Sequence, residues 1–419
     1  MFAQIGSIPA YNFPFAMIRH GSSRIGFYLR HPICEGHRMS VITCIEDLRV
    51  LAQKRVPRMF YDYADSGSWT ESTYRANTSD FSGMKFRQRV AVNLENRTLA
   101  TTMLGQTVSM PVALAPTGLT GMQHADGEIL AAQAAEKFGV PFTLSTMSIC
   151  SIEDIAANTT KPFWFQVYVM KDRAFVERLI DRAKAAKCSA LVLTLDLQIL
   201  GQRHKDLRNG LSAPPKPTIA NLINLMTKPR WCLGMLGTKR RFFGNIVGHA
   251  TSVSDMTSLS TWTSEQFDLS LSWKDVEWIK RRWGGKLIIK GIMDEEDARL
   301  AVDSGADALI VSNHGGRQLD GALSSIRALP AVVDAVGDKI EVQMDGGIRS
   351  GQDALKAIAL GAKGVYIGRS FLFGLGAMGG EGVTKCLDII RNEMDLSMAF
   401  CGLTDIKTVD KGILIPGTY

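Results

Sequence analysis

The stretch IEVQMDGGIRSGQDALKAIALGAKGVYIGRS, residues 340–370, decides the fold. It holds an apolar run, IEVQMD (340–345), two glycines, the amphipathic segment SGQDALKAIALG (350–361) and a second apolar run, KGVYIG (363–368). Short apolar runs on either side of a helical segment make a βαβ unit, whose parallel strands are buried on both faces. The segment ends on Gly361, the residue type favoured just past a helix's last turn because it takes the left-handed conformation without a Cβ clash.

Outward from this unit the pattern repeats. Six runs precede it: MPVALA (110–115), VPFTLS (140–145), FWFQVY (163–168), SALVLTL (189–195), KLIIK (286–290) and DALIVS (307–312). Between runs lie amphipathic segments such as DGEILAAQAAEKFG (126–139), DRAFVERLIDRAKAAKC (172–188) and DEEDARLAVDSG (294–305). Eight successive units predict an α/β fold, the (β/α)8 TIM barrel, with a doubly wound open sheet as the competing arrangement. The fourth and fifth runs lie far apart, so the barrel carries a long insertion after its fourth strand, at about 204–262. Barrels absorb such insertions in their βα loops.

A TIM barrel places its active site at the C-terminal ends of the strands. Run one is followed by Pro116, Thr117 and Gly118, and run two ends at Ser145. Run three carries Gln166 and Tyr168, and run four carries Thr194 and is followed by Asp196. Run five ends at Lys290, and run six at Ser312, ahead of Asn313, His314, Gly315, Gly316 and Arg317. Run seven ends at Asp345, ahead of Gly346, Gly347, Ile348 and Arg349, and run eight at Gly368, ahead of Arg369. Any one of these reads as a turn or capping residue; polar groups at all eight ends read as a site.

The glycines after runs seven and eight, with Arg349 and Arg369, suit a phosphate held by backbone N–H groups, a helix N-terminus and cations. His314 is the candidate base, since imidazole titrates near neutrality and can accept a hydroxyl proton. A carboxylate such as Asp196 would orient it and stabilise its charged form. Arg317 offers a planar fork for a carboxylate, and Lys290, on a buried strand, needs an anion. No GxGxxG opens a helix after the first run, which argues against a nicotinamide site of the Rossmann type. A flavin-free lyase or isomerase with a phosphate-binding barrel is the competing class.

SNHGGRQLD (312–320) resembles the signature of the FMN-dependent L-2-hydroxy acid dehydrogenases and oxidases. The likeness runs from about Val41 to Asp405 and includes FYDYADSG (60–67), ALAPTGLTGM (113–122), WFQVYV (164–169), SLSWKDVEWI (270–279), IIKGI (288–292), DGGIRSG (345–351) and GVYIGR (364–369). Within the family, APTGLTGM, FTLSTMSIC (142–150) and LDGALSS (319–325) are most similar to the bacterial respiratory L-lactate dehydrogenases. The resemblance implies FMN as cofactor and oxidation of L-lactate to pyruvate, with electrons passed to a quinone or another respiratory acceptor. An oxygen-using glycolate oxidase or a mandelate-type dehydrogenase is the alternative.

The resemblance also assigns roles. His314 takes the hydroxyl proton as hydride or its equivalent passes to flavin N5, and Asp196 partners it. Arg317, Tyr63 and Arg203 bind the substrate carboxylate, with Tyr168 assisting. Lys290 faces flavin N1 and O2, and Ser145, Gln166, Thr194 and backbone near Thr117 contact the ring. Asp345 reaches the ribityl chain, and Gly347, Arg349, Gly368 and Arg369 hold the phosphate. No metal is called for. Relatives imply a homo-oligomer, a tetramer. Met147 stands where glycolate oxidase-like members carry Trp, and Gly118 where many oxidases carry Ala.

The 419 residues carry a formal net charge of +7, with 46% hydrophobic and 21% charged residues, the composition of an ordinary globular protein. Seven cysteines without CxxC spacing argue against a disulfide framework or zinc knuckle. No stretch reads as a transmembrane helix, and residues 1–38 read as a disordered arm or an over-called start ahead of a domain at 39–419. Residues 204–250 contribute +7 and residues 1–38 a further +3, so the remainder is acidic by −3. Cations mixed with large apolar residues in KPRWCLGMLGTKRRFFGNIVG (228–248) suit an anionic membrane surface. No nucleic-acid motif accompanies them, and a solvated flap over the active site is the competing reading. The expected location is the cytoplasmic face of the inner membrane, as a peripheral protein, with the cytoplasm as alternative.

Overall fold

The computed structural model describes residues 41–211, 218–250 and 265–419. The expectation for residues 1–38 lies outside them, as do parts of the insertion. Ile42–Tyr419 forms one compact unit.

Eight parallel strands make the barrel: β1 (Val112–Leu114), β2 (Thr143–Ser145), β3 (Trp164–Tyr168), β4 (Ala190–Thr194), β5 (Lys286–Ile292), β6 (Ala308–Val311), β7 (Glu341–Asp345) and β8 (Val365–Ile367). From β2 to β8 each is hydrogen-bonded to the next in chain order, and β8 returns to β1 with Val365 opposite Val112. Between β1 and β2 the contact is a single bridge, Leu114 to Phe142, supported by Leu114 N–H donating to the Pro141 carbonyl at 2.9 Å. The barrel expected from the sequence is therefore present and nearly closed; seven predicted runs contain their strands, and the fifth strand extends beyond its run, KLIIK (286–290), to Ile292.

Strand alternation divides the core in two. Trp164, Val192, Ile288, Ile310 and Tyr366 pack inside the barrel, while Phe165, Leu191, Leu193, Ile289 and Val311 belong to the larger core shared with the helices. A short antiparallel hairpin, Thr101–Met103 with Gln106–Val108, plugs the end where the strands begin; Met103 joins the inner cluster and Leu104 N–H donates to the Glu341 carboxylate. The hairpin thereby closes the barrel interior at that end.

The helices follow from their caps. Ser350 caps Gly351–Ala359 by accepting from Asp353 N, and Asp172 caps Arg173–Ala185 by accepting from Phe175 N; such caps satisfy N–H groups that the first turn leaves without partners. Gly361 takes φ +104° just past its helix. The segment after β8 forms two packed helices, Arg369–Met378 and Gly380–Phe400. Helix Ile45–Arg55 lies against the first of these, where a Cβ on Gly376 would stand 2.7 Å from Val56 Cγ2. Its buried face is Ile45, Leu48 and Ala52, the i, i+3, i+7 spacing of one helix side.

The described part of the insertion contains helices Ile219–Met226 and Pro229–Gly237. It then returns into the barrel: Asn245 accepts from Ile152 N at 2.9 Å and donates to Ser148 Oγ at 3.0 Å, and Ile246 is fully buried. Residues 243–250 are thus structural, whatever the preceding helices do.

Leu48 is fully buried and Val50 is 37% exposed. Urea unfolding should show Leu48→Ala losing about 3 kcal/mol and Val50→Ala losing less than about 0.5 kcal/mol. Equal, small losses would show that this N-terminal helix is not part of the barrel's core.

Candidate active site

One cavity of about 280 Å³ opens at the C-terminal end of the barrel. It is lined by Tyr63, Thr117, Tyr168, Arg203, Lys290, His314, Arg317, Asp345, Gly347, Arg349, Gly368 and Arg369. The sequence had singled out all twelve. Ser145, Gln166, Thr194 and Asp196 are not in its lining but stand close to residues that are: Ser145 Oγ donates to Gln166 Oε1 at 3.1 Å, Thr194 is paired with Lys290, and Asp196 meets His314. Apolar wall comes from Met147, Leu197, Leu200, Phe243 and Phe267; Phe243 belongs to the insertion.

His314 follows β6 in a loop where it takes φ +57°, and Gly315 and Gly316 take +66° and +71°. Left-handed backbone is uncommon for a side-chain-bearing residue, so tertiary contacts must hold it there. Asn313 does so by exchanging two 2.8 Å hydrogen bonds with Asn77 and accepting from Gly316 N at 3.1 Å. The His314 imidazole lies with Nδ1 2.9 Å from Asp196 Oδ1, which leaves Nε2 toward ligands. Burial pulls the His314 pKa below its ordinary value, with Asp196 acting in the opposite sense. Burial pushes Asp196 upward, but His314 and Lys290 more than offset this and hold its carboxyl below the usual range. The pair at neutral pH is a neutral imidazole against a carboxylate, the arrangement of a general base.

Lys290 is almost fully buried, with Nζ 2.9 Å from Asp345 Oδ2 and donating to Ser312 Oγ at 2.6 Å. Burial disfavours its charge, yet Asp345 and Asp196 outweigh this and raise its pKa. It remains an ammonium inside the barrel.

Arg317 lies over the Tyr63 ring at 4.6 Å and donates through Nη1 to the backbone carbonyls of Tyr63 and Ser66. Its Nη2 has no hydrogen-bond partner, and neither has Arg203 Nε. Two buried guanidiniums with spare donors face one cavity, which is what a ligand carboxylate requires. Gly118 lies beside them; a Cβ there would stand 3.2 Å from both Tyr63 Oη and Met147 Cβ.

At the far end, Gly347 takes φ +83°, and a Cβ would fall 1.8 Å from the Asn77 carbonyl. Only glycine fits. Arg349 donates to the Ile348 carbonyl at 3.0 Å. Arg369 commits Nε, Nη1 and Nη2 to the carbonyls of Ala64, Gly315 and Ser66. Burial, and Arg349 and Arg317 nearby, push Arg369 below its ordinary value, as expected of clustered cations that an anion would stabilise. Gln166 Nε2, Thr194 Oγ1 and Asp345 Oδ1 are buried without partners. Unused polar atoms deep in the barrel, a central ammonium and a distal cationic glycine loop fit a flat heterocycle with a polar edge, a hydroxylated chain and a phosphate.

Two contributors escaped the sequence reading. Asn77 supports the His314 loop across 236 residues of chain, and Asp206 approaches both arginines. Neither lies at a strand end. Among the described residues no group of His, Cys, Asp and Glu is arranged to hold a metal ion.

Residues 52–416 match the family model described as FMN-dependent dehydrogenase. The chain is 45% identical over 377 residues to an L-lactate dehydrogenase of Ectopseudomonas mendocina, covering 90% of this chain and 99% of that protein. It is 46% identical over 377 residues to an L-lactate dehydrogenase of Azorhizobium caulinodans, again covering 90% and 99%. Among solved structures, the monotopic membrane protein (S)-mandelate dehydrogenase superposes with a TM-score of 0.85 at 35% identity, covering 90% of this chain and 100% of that one.

Lys290→Met would leave the Asp345 carboxylate buried without its cation. Its expected cost in urea unfolding is about 3–5 kcal/mol, and Lys290→Met combined with Asp345→Leu should recover most of it. A double variant no more stable than the single one would show that the pair does not stabilise the barrel through charge.

Proposed function

The chain belongs to the FMN-dependent dehydrogenase family, and from that premise we propose that it oxidises L-lactate to pyruvate and passes the electrons to a membrane quinone. The observation that carries this reading is the convergence on one cavity of a neutral histidine on a carboxylate and two arginines with spare donors. A 2-hydroxy acid needs a cation for its carboxylate, a base for its hydroxyl and an acceptor for the electrons of its C–H bond.

Bound FMN supplies that acceptor. Ser145, Gln166, Thr194 and the backbone at Thr117 would hold its ring, Asp345 its ribityl chain, and Gly347, Arg349, Gly368 and Arg369 its phosphate. Arg317 and Arg203 bind the substrate carboxylate and fix the α-carbon, with Tyr63 beside them. Tyr168 stays protonated, because burial and the nearby Asp196 raise its pKa, and serves as a hydrogen-bond donor. His314 Nε2 takes the hydroxyl proton, and Asp196 stabilises the imidazolium that results. Lys290, an ammonium held in place by Asp345, would offset the negative charge that FMN gains on reduction.

L-Lactate is favoured because the L-lactate dehydrogenases above match over nearly their whole length. Glycolate and (S)-mandelate are the competing substrates, and oxygen the competing acceptor.

Membrane contact is the second part of the proposal. No described helix is long and apolar enough to cross a membrane. On helix Ile219–Met226, however, Ile219, Leu222, Ile223 and Met226 point outward, and Leu233 and Leu236 do so on Pro229–Gly237; all six are between 54% and 79% exposed. Positions i, i+3, i+4 and i+7 form one helical stripe, and an outward apolar stripe marks a contact surface. We place it on the cytoplasmic face of the inner membrane, in a protein that forms a homotetramer.

With L-lactate and a quinone analogue, His314→Gln should lower kcat about 10²–10⁴-fold; full turnover would remove His314 from the mechanism. The wild-type kcat/KM should rise with pH as His314 loses its proton. Asp196 raises the His314 pKa, so Asp196→Asn should move that limb to lower pH while slowing turnover, and an unmoved limb would sink the pairing. Changing Leu222 and Ile223 together to Glu should abolish flotation with anionic liposomes while leaving turnover of a soluble acceptor unchanged. Unaltered flotation would exclude this stripe as the membrane contact.

A further inference from the structure

Asp206 sits between the two arginines that face the cavity. Its Oδ2 is 3.7 Å from Arg203 Nη1 and 3.8 Å from Arg317 Nη2, and the three side chains are only 11–14% exposed. These separations exceed hydrogen-bond reach, so Asp206 offsets positive charge without occupying donors. Arg317 Nη2, Arg203 Nε and Asp206 Oδ1 all remain without hydrogen-bond partners. A salt bridge built only for stability would use them.

The position is fixed by backbone. Asp206 lies in helix His204–Arg208, its carbonyl accepts from Leu211 N at 2.9 Å, and Asn209 in the next turn donates to Asp62 at 2.7 Å. The two guanidiniums disfavour each other: burial and then Arg317 lower the pKa of Arg203. Burial raises that of Asp206 even with both arginines beside it, and Asp62 adds to the rise. Of the other charged groups at the cavity, Lys290 is paired with Asp345, Asp196 accepts from a neutral His314, and Arg349 and Arg369 stand at the far, glycine-loop end.

We propose that Asp206 sets the substrate class by charge, making the Arg203–Arg317 pair a receptor for 2-hydroxy monocarboxylates and discriminating against 2-hydroxy dicarboxylates. Two guanidiniums less one buried carboxylate leave a single positive charge at the pair, which one substrate carboxylate neutralises. A second carboxylate would be desolvated beside Asp206 and repelled by it. In a poorly screened site that repulsion acts at close to full strength. The inference rests on the proposed 2-hydroxy acid dehydrogenase activity, and it makes Asp206 a positioning and selectivity residue.

The test uses the FMN-loaded enzyme and two ligands of similar size, oxamate with one negative charge and oxalate with two. Calorimetry on wild type, Asp206→Asn and Asp206→Glu gives the oxalate-to-oxamate affinity ratio for each. Asp206→Asn should raise this ratio at least tenfold and Asp206→Glu should keep it within threefold of wild type. The ratio of kcat/KM for L-malate to that for L-lactate should rise in parallel in Asp206→Asn. If Asp206→Asn does not fold, Asp206→Ser removes the same charge and carries the same expectation. A stably folded neutral variant with an unchanged ratio, or one that weakens both ligands equally, would overturn the role of Asp206. A wild-type enzyme that oxidises no 2-hydroxy monocarboxylate would instead overturn the proposed activity, and the binding ratio would still report on Asp206.

Discussion

Every second residue of a barrel strand must point inward, and the rest of the site depends on that constraint. The inner positions of β3 are Trp164, Gln166 and Tyr168, and those of β4 are Ala190, Val192 and Thr194. Ile288 and Lys290 share the inner face of β5, and Gln343 and Asp345 that of β7. On β3 and β4 the inward residues are apolar toward the plugged end and polar at the open end, and on β5 Ile288 gives way to Lys290. Gln343 marks the boundary, buried yet satisfied by the Tyr366 hydroxyl at 2.6 Å. A one-residue slip of any strand would turn its polar group into the helix layer and an outer Leu or Ile into the cavity. Pairing register and active-site chemistry are therefore one constraint.

Bringing ionisable groups together inside a barrel is unfavourable unless each finds a partner. Lys290 has Asp345, His314 has Asp196, and Asp206 stands off two arginines. The exceptions carry function. Gln166 Nε2, Thr194 Oγ1, Arg317 Nη2 and Arg203 Nε stay without partners where cofactor and substrate are proposed to bind. Buried polar groups seldom go unpaired in a folded protein, so their concentration at one end of the barrel marks where ligand atoms complete the structure.

The barrel was legible in the sequence because its signals are local. Each apolar run, the Ser350 cap and the glycines at 139, 305 and 361, all at positive φ, can be read within a few residues, and the strand-end rule turns position into a site list. What could not be read is what arrives from far away in the chain. Asn77 reaches the His314 loop from helix Ser72–Gly83, and Asn245 ties the insertion to Ser148 and Ile152. Asp206 falls within the stretch 204–250, which the sequence marks only by its positive charge. Its place between Arg203 and Arg317 depends on how the segment after β4 folds over the barrel mouth, which periodicity does not encode.

The same distance between composition and contact changes the meaning of the +7 charge. Within the insertion Arg240 is paired with Asp126 and Asp154, and Arg241 donates to the carbonyls of Met235, Leu236 and Thr238. Lys228 donates to the Lys54 carbonyl, and Lys205 is paired with Glu71. These cations fasten the insertion to itself and to the barrel, while Trp231 stacks on Phe60 at 5.5 Å and donates to the Met122 carbonyl. Among the described residues Arg208, Arg230 and Lys239 are the insertion's cations not engaged in this way. The outward surface is consequently more apolar than basic. Adsorption to a bilayer through it would draw its strength from burying Leu222, Ile223, Met226, Leu233 and Leu236, at about 25 cal/mol per Å². The remaining cations would select anionic lipid and orient the approach, a contribution that salt screens while the apolar one persists.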